Sequence, residues 1–394
     1  MNNTAASEPP ELLPVLLLTG FLGSGKTTLL NQLVAQPAFS RTLVLINEFG
    51  EIGLDHDLVT QGTDGVVVEM SSGCLCCTIH ADLAETLRRA PGRFGYRGEL
   101  LFDRVVIETT GLADPAPIIH TLMSNPEVTS RYRLDGVITT VDAVNGMATL
   151  DAQIESVKQV AMADRLLVTK TDLTGAPELG GLKERLSQLN PGAPQVLADH
   201  GVVDADAIFG PGHYNPIDRS LDVQEWLQAE AYSHGHAHCT QEHHHHEHID
   251  HEHHGHQHHH HEHDDHEHHV HDVNRHDARI KALCLTLDEP LERDVLNVWL
   301  NLLLRFRGED FLRVKGIVNV RGLDGPVVIH GVQHVFHPSF SLDAWPSEDR
   351  RTRIVFITRD IDEASLRETL DVVRNADTAQ GLRAAPDDNN FVPN

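Results

Sequence analysis

Val15-Leu16-Leu17-Leu18 is followed almost at once by Gly20-Phe21-Leu22-Gly23-Ser24-Gly25-Lys26-Thr27. A short, wholly apolar run reads as a strand buried on both faces, and it hands the chain directly to a glycine-rich loop ending in Lys-Thr. Glycines let successive backbone N–H groups turn toward one anion. Lys26 adds a point charge for β- and γ-phosphates, and the Thr27 hydroxyl is a ligand for Mg²⁺. The helical pattern from Thr27 to Val34 completes the strand–loop–helix context that such a phosphate cradle requires. Gly23, Ser24, Gly25, Lys26, Thr27 and Thr28 form the expected nucleotide-binding set of this loop, and a nucleoside triphosphate is the implied ligand.

Further apolar runs alternate with helical patterns as far as about Pro216: Leu43–Ile46, Val66–Val68, Arg104–Ile107, Gly136–Ile138 and Arg165–Val168. Strands this continuous in apolar residues imply a mostly parallel sheet with helices on both faces, an α/β fold. The composition then changes. After a helical pattern around Val223–Leu227 the chain becomes almost entirely His, Asp and Glu, with too little apolar surface to offset ordering entropy, and is expected to be a disordered linker. From Ile280 the apolar pattern resumes. A strand over Ile280–Leu287 leads to a helix over Leu291–Phe306, with Val295, Trp299, Leu302 and Phe306 on one face. Strands over 313–320, 327–330 and 353–358 and a helix over 362–373 complete a smaller α+β domain. The expected organisation is a flexible start over 1–13, a nucleotide domain over 14–218, the His/Asp/Glu-rich linker over 219–276, an α+β domain over 277–376 and a flexible tail over 377–394.

At 394 residues, 40% of them hydrophobic, the chain can fill two cores, and its formal net charge of −27 would repel nucleic acid or an anionic membrane. No nucleic-acid or membrane partner is expected. Met1–Pro14 has no basic n-region and the apolar run after it is only strand-length, so neither signal peptide nor membrane span is read there and a cytoplasmic location is expected. Three of the five cysteines stand in Cys74-Leu75-Cys76-Cys77, a spacing too tight for ordinary disulfides that points to metal binding or redox chemistry.

Two further stations follow the phosphate loop. The strand Val105–Ile107 ends in Glu108-Thr109-Thr110-Gly111, where Glu108 is placed to orient Mg²⁺ or its water shell and the Gly111 amide to reach a γ-phosphate. Lys26 and Glu108 are therefore the candidate catalytic residues. The strand Leu166–Val168 runs into Thr169-Lys170-Thr171-Asp172, a variant of the Asn-Lys-x-Asp guanine signal. The Asp172 carboxylate can accept from both N1–H and the N2 amino group of guanine, so Thr169, Lys170 and Asp172 favour GTP over ATP. Between these stations, Asn47–Asp55 follows a strand at the carboxyl edge of the sheet. Its Glu48 and Asp55 are candidates to touch metal or the attacking water, and its glycines would allow rearrangement when a γ-phosphate leaves.

Cys74, Cys76 and Cys77 precede a helical pattern over 79–89, where a helix N-terminus lowers thiol pKa and three thiolates suit Zn²⁺. Glu48, another side chain or water would fill the fourth position. Three protein sulfurs make a site that can release its ion, as a carrier must; a redox pair is the rival reading. Most of the 30 histidines fall between His234 and His276, interleaved with Glu242, Glu247, Asp250, Glu252, Glu262, Asp264, Asp265 and Glu267. Such a tract would collect Zn²⁺, Co²⁺, Ni²⁺ or Cu²⁺ with fast exchange. His330, His334 and His337 do not share one strand face, and structural or surface roles are expected for them.

These stations in this order, Gly20–Thr28, Asn47–Asp55, Ser72–Cys77, Glu108–Gly111 and Thr169–Asp172, resemble the CobW-type metallochaperone GTPases, also described as zinc-regulated GTPase metalloprotein activators. Arg313–Gly316 and Gly331–Gln333 are similar to the C-terminal module of that family. The resemblance implies slow GTP hydrolysis to GDP and phosphate with Mg²⁺. It implies a metal held at Cys74, Cys76 and Cys77, and delivery of that metal to a client metalloprotein through both domains. Zn²⁺ is the expected cargo, with Co²⁺ for cobalamin synthesis as the alternative, and a homodimer dependent on metal or nucleotide is a further expectation. Thr169 departs from the usual Asn of the guanine signal. A metal buffer built on the His tract and a small-molecule P-loop kinase are the competing function classes.

Overall fold

The computed structural model describes residues 12–48, 66–71, 78–97, 99–198, 202–203, 208 and 279–380. The first domain is built on β1 (Leu13–Gly20), α1 (Lys26–Val34), β2 (Thr42–Glu48), β3 (Val66–Ser71) and α2 (Thr78–Arg93). A small hairpin, β4 (Gly95–Tyr96) with β5 (Glu99–Leu100), leads to β6 (Arg104–Glu108), α3 (Ala116–Ser124), α4 (Pro126–Thr129) and β7 (Tyr132–Asp142). Then come α5 (Gly146–Ala152), α6 (Ile154–Met162), β8 (Arg165–Thr169), α7 (Ala176–Leu189) and β9 (Gln195–Leu197).

Among the described residues these strands make a seven-stranded sheet in the order β3-β2-β6-β1-β7-β8-β9. Every pairing in it is parallel. The continuous apolar strands are the cause. In β1, Val15 and Leu17 belong to the core on one face while Leu16 and Leu18 belong to the core on the other, where Leu29, Leu30 and Leu33 of α1 cover them. A strand buried on both sides cannot afford polar alternation, and parallel βαβ crossovers supply the helices that cover it. β6 lies between β1 and β2, so the chain leaves β1 in one direction for β2 and later returns to pair β7 on the other side. That reversal opens a crevice beyond the carboxyl ends of β1, β6 and β7, where ligands of open α/β sheets bind.

The second domain comprises β10 (Ile280–Leu287), α8 (Arg293–Arg307), β11 (Phe311–Val318), β12 (Val327–Val332), β13 (Val335–Phe336), β14 (Phe340–Ser341), β15 (Thr352–Arg359) and α9 (Glu363–Gln380). Its sheet is antiparallel, in the order β10-β15-β11-β12-β13 with β14 on β12. α8 and α9 pack on one face, and Trp299 donates from Nε1 to Thr369 Oγ1 at 3.0 Å. The face expected for α8 needs correction. Its buried stripe is Val295, Leu296, Trp299, Leu300, Leu303 and Leu304, whereas Leu302 is 39% and Phe306 74% exposed. At about 100° per residue those two lie at the edge of the stripe, and the core closes around the leucines one position on. α9 runs on to Gln380, longer than the helix expected over 362–373. The expected helix near 223–227, the linker over 219–276 and most of the tail lie outside the described residues.

The two domains share a core: Ile280, Leu312, Val332 and Ile357 belong to the same apolar cluster as Val137, Val157, Val160 and Met162. A buried ion cluster fastens that contact. Asp164, at the end of α6, accepts from the Val137 N–H at 2.9 Å and from Lys315 Nζ at 2.8 Å, and it pairs with the buried Arg313 guanidinium. Arg313 also donates to the Met162 carbonyl. Beside it His330 is buried and stacked on His337, with ring centroids 4.6 Å apart. Burial, then the neighbouring Arg313 cation, holds the His330 pKa well below the usual histidine value, so its ring is neutral in the fold.

Candidate nucleotide site

The loop after β1 is shaped by glycine. Gly23 (φ 72°) and Gly25 (φ 90°) occupy the left-handed region, and open space lies where a Cβ on Gly23 would project. Gly25 caps α1 with no side-chain hydrogen bond, so the first N–H groups of a nine-residue helix face the loop without a protein acceptor from the cap. That is an anion cradle with the helix dipole behind it.

Hydroxyl groups brace the cradle from below. Ser24 Oγ and Thr140 Oγ1 are 2.6 Å apart, and Thr140 donates to the Thr19 carbonyl at 3.3 Å. Thr169 donates to the Ser24 carbonyl at 2.7 Å and lies within 3.2 Å of the Val141 carbonyl. The first residue of the guanine signal thus grips the phosphate loop itself, and a threonine hydroxyl suffices for that. Lys26 is buried and folded back, its Nζ 2.8 Å from the Gly20 carbonyl and 3.2 Å from that of Phe21. Phosphate oxygens, being charged, would hold the ammonium more strongly than these carbonyls do.

The fold brings Thr27 and Glu108 together: Thr27 Oγ1 donates to Glu108 Oε1 at 3.2 Å, across 81 residues of chain. A hydroxyl and a buried carboxylate at the foot of an anion cradle are hard oxygen donors that suit Mg²⁺. Gly111 is brought against the phosphate loop, and a Cβ there would lie 2.5 Å from the Leu22 backbone nitrogen. Only glycine permits that approach. Thr109 reinforces it, its hydroxyl donating to Thr19 Oγ1 at 2.8 Å and its N–H to the Leu18 carbonyl at 2.9 Å.

Lys170 stands at φ 57° and places Nζ 2.7 Å from Asp142 Oδ2. Asp142 is held in turn by the N–H groups of Val144 (2.8 Å) and Asn145 (3.2 Å) and by Asn145 Nδ2 (3.0 Å). Burial pulls its pKa upward, but the Lys170 and Asn145 hydrogen bonds outweigh it and the net shift is downward. Asp142, Asn145, Lys170 and Phe21–Ser24 line a cavity of about 210 Å³ beside the loop. Asp172, two residues beyond Lys170, is exposed. Asp142, Asn145 and Thr140 are not singled out by the sequence motifs. The signal available for Asp142 was its place at the carboxyl end of a parallel strand; the others are identified only by contacts across the fold.

Glu48 closes β2, paired in register with Ser71 at the end of β3, and Ile46 is paired with Glu108. The Glu48 side chain, the loop to Asp55 and Cys74, Cys76 and Cys77 lie outside the described residues. Among the described residues, no group of three or more His, Cys, Asp or Glu side chains could hold a metal, and no helix is long and apolar enough to cross a membrane.

The family model for the CobW/HypB/UreG nucleotide-binding domain matches residues 14–197, and that for the cobalamin synthesis protein cobW C-terminal domain matches residues 280–374. The zinc chaperone YjiA of Escherichia coli is 30% identical over 356 residues, covering 90% of this chain and 96% of its own. The zinc chaperone CobW of Pseudomonas aeruginosa is 28% identical over 389 residues, covering 91% and 90%. The crystal structure of Zn(II)-bound YjiA GTPase from E. coli superposes with a TM-score of 0.62 at 27% identity, covering 93% of this chain and all of that one.

Proposed function

Because this chain belongs to the family that joins a CobW/HypB/UreG nucleotide-binding domain to a CobW C-terminal domain, we propose that it is a GTP-hydrolysing zinc chaperone. It takes Zn²⁺ at Cys74, Cys76 and Cys77, with Glu48 as the fourth ligand, and transfers the ion to a client metalloprotein under nucleotide control. The enzyme class is GTPase, as in the relatives named for that activity. One observation supports the coupling most directly: β2 and β3 end side by side at Glu48 and Ser71, and β2 is also paired with β6, which ends at Glu108. Cys74 follows Ser71 by three residues. The strand that precedes the cysteines and the strand that ends at the magnesium-side carboxylate therefore flank β2 on either side.

The residues divide the work. The Gly23–Thr28 backbone and Lys26 bind the phosphates, and Lys26 leaves its two carbonyl partners to do so. Thr27 and Glu108 would hold Mg²⁺, which when bound neutralises charge on the β- and γ-phosphates. Lys170 and Asp172 receive the guanosine, with Asp142 fixing the lysine. The domains act as the spans 14–218 and 277–376, the client meeting both, and residues 219–276 collecting metal for the cysteines.

Calorimetric titration of Zn²⁺ with and without a slowly hydrolysed GTP analogue tests this reading, with Cys74, Cys76 and Cys77 changed to Ala as control. Zinc and nucleotide should change each other's affinity by the same factor. Equal zinc affinity in both nucleotide states would refute it. A chain lacking 234–276 should keep zinc-responsive GTP turnover and lose only capacity, whereas a buffer would lose its function altogether.

A further inference from the structure

The loop that follows β6 is gripped from a side that none of the nucleotide motifs occupies. Gln159, on α6, is fully buried, yet its side chain is a carboxamide. Its Nε2 donates to the Gly111 carbonyl at 3.2 Å and to the Ala113 carbonyl at 3.0 Å. Next to it, Lys158 places Nζ 2.8 Å from Asp114 Oδ2. The helix is anchored at the same point, since Thr139 Oγ1 donates to the Gln159 carbonyl at 2.8 Å.

Two carbonyl oxygens facing one nitrogen settle which way the amide points, because the rotated amide would set its own oxygen against both. In this orientation Oε1 is buried with no hydrogen-bond donor among the described residues. A methionine of similar size would leave no orphan acceptor, so the fold tolerates that loss in order to hold the Gly111–Ala113 backbone. That backbone carries the N–H expected to meet a γ-phosphate, and it packs on the Leu22 nitrogen of the phosphate loop.

Resting on the GTPase reading above, we propose that Gln159 is a positioning residue for GTP hydrolysis, fixing the Gly111–Ala113 loop so that the Gly111 N–H is aimed at the terminal phosphate. GDP lacks the group that this loop meets. Gln159 therefore acts on GTP binding and turnover and leaves diphosphate binding alone.

The test uses the full chain with Gln159→Met, measuring affinity for GDP and for a slowly hydrolysed GTP analogue, kcat at saturating GTP, and the thermal midpoint. Loss of two hydrogen bonds to the loop should weaken analogue binding about tenfold and lower kcat at least as much, with GDP affinity kept within about twofold. Lys158→Met, at a partly exposed position, should shift the same ratio in the same direction by a smaller factor and serves if the first variant does not fold. Equal loss of GDP and analogue binding, or an unchanged ratio in both variants, would overturn the proposal while leaving the GTPase reading intact. A wild-type chain that binds neither nucleotide would overturn both.

Discussion

Changing Gly111 to Ala tests whether close approach of two backbones, rather than glycine flexibility, holds the site together. A Cβ at 111 would sit 2.5 Å from the Leu22 nitrogen and 2.7 Å from its Cα, both backbone atoms that no side-chain rotation can move. Restoring ordinary contact near 3.4 Å requires the two loops to part by about 0.9 Å. Overpacking of this kind costs roughly 1–3 kcal/mol, and a displacement of about 1 Å at a reacting centre costs on the order of 100-fold in rate. Steady-state GTP hydrolysis should therefore fall about 100-fold in kcat/KM, with a thermal midpoint only a few degrees lower. Gly23→Ala is the comparator. Gly23 needs a left-handed φ of 72° but meets nothing within 4 Å, so alanine there meets no clash, only about 1–2 kcal/mol of backbone strain. Were Gly111→Ala to keep kcat/KM within about threefold of wild type, the close approach would not be what sets the geometry.

Two more expectations concern the joint between the domains. Asp164→Asn leaves the buried Arg313 guanidinium without its carboxylate, which should cost about 3–5 kcal/mol and lower the thermal midpoint by about 10 °C or more, readable by calorimetry; Lys315→Met, at a partly exposed position, should cost far less. His330 is neutral in the fold with a depressed pKa, so the unfolded chain binds the extra proton as pH falls below about 6.5. Its contribution to stability is complete above that pH and declines beneath it, by at most about 1.4 kcal/mol per pH unit. Denaturant unfolding between pH 7 and 5 should show a shallower pH slope in His330→Asn; identical slopes would count against the assignment.

The parallel sheet, the phosphate loop and the place of Glu108 at a strand end were legible because each is written locally: an apolar run, a glycine pattern, an acid closing a strand. Much of what steadies the site was not. Gln159 reads as one more polar residue on a helix until the fold brings Gly111 to it, and Asp164 finds Arg313 across 149 residues. Helical periodicity located α8 but misjudged its edge at Leu302 and Phe306, because a pattern of threes and fours does not say where a neighbouring sheet ends. His330 illustrates the same limit, since its burial depends on the turn that returns His337 to stack on it.

The cluster of Asp164, Arg313 and Lys315, set in apolar surface common to both halves, is a bond between them that does not run along the backbone. A polypeptide stopped before Ile280 would show water an oily patch and a carboxylate stripped of its counter-ions. The two parts, made as separate chains, would recognise each other and clasp without any peptide bond between them.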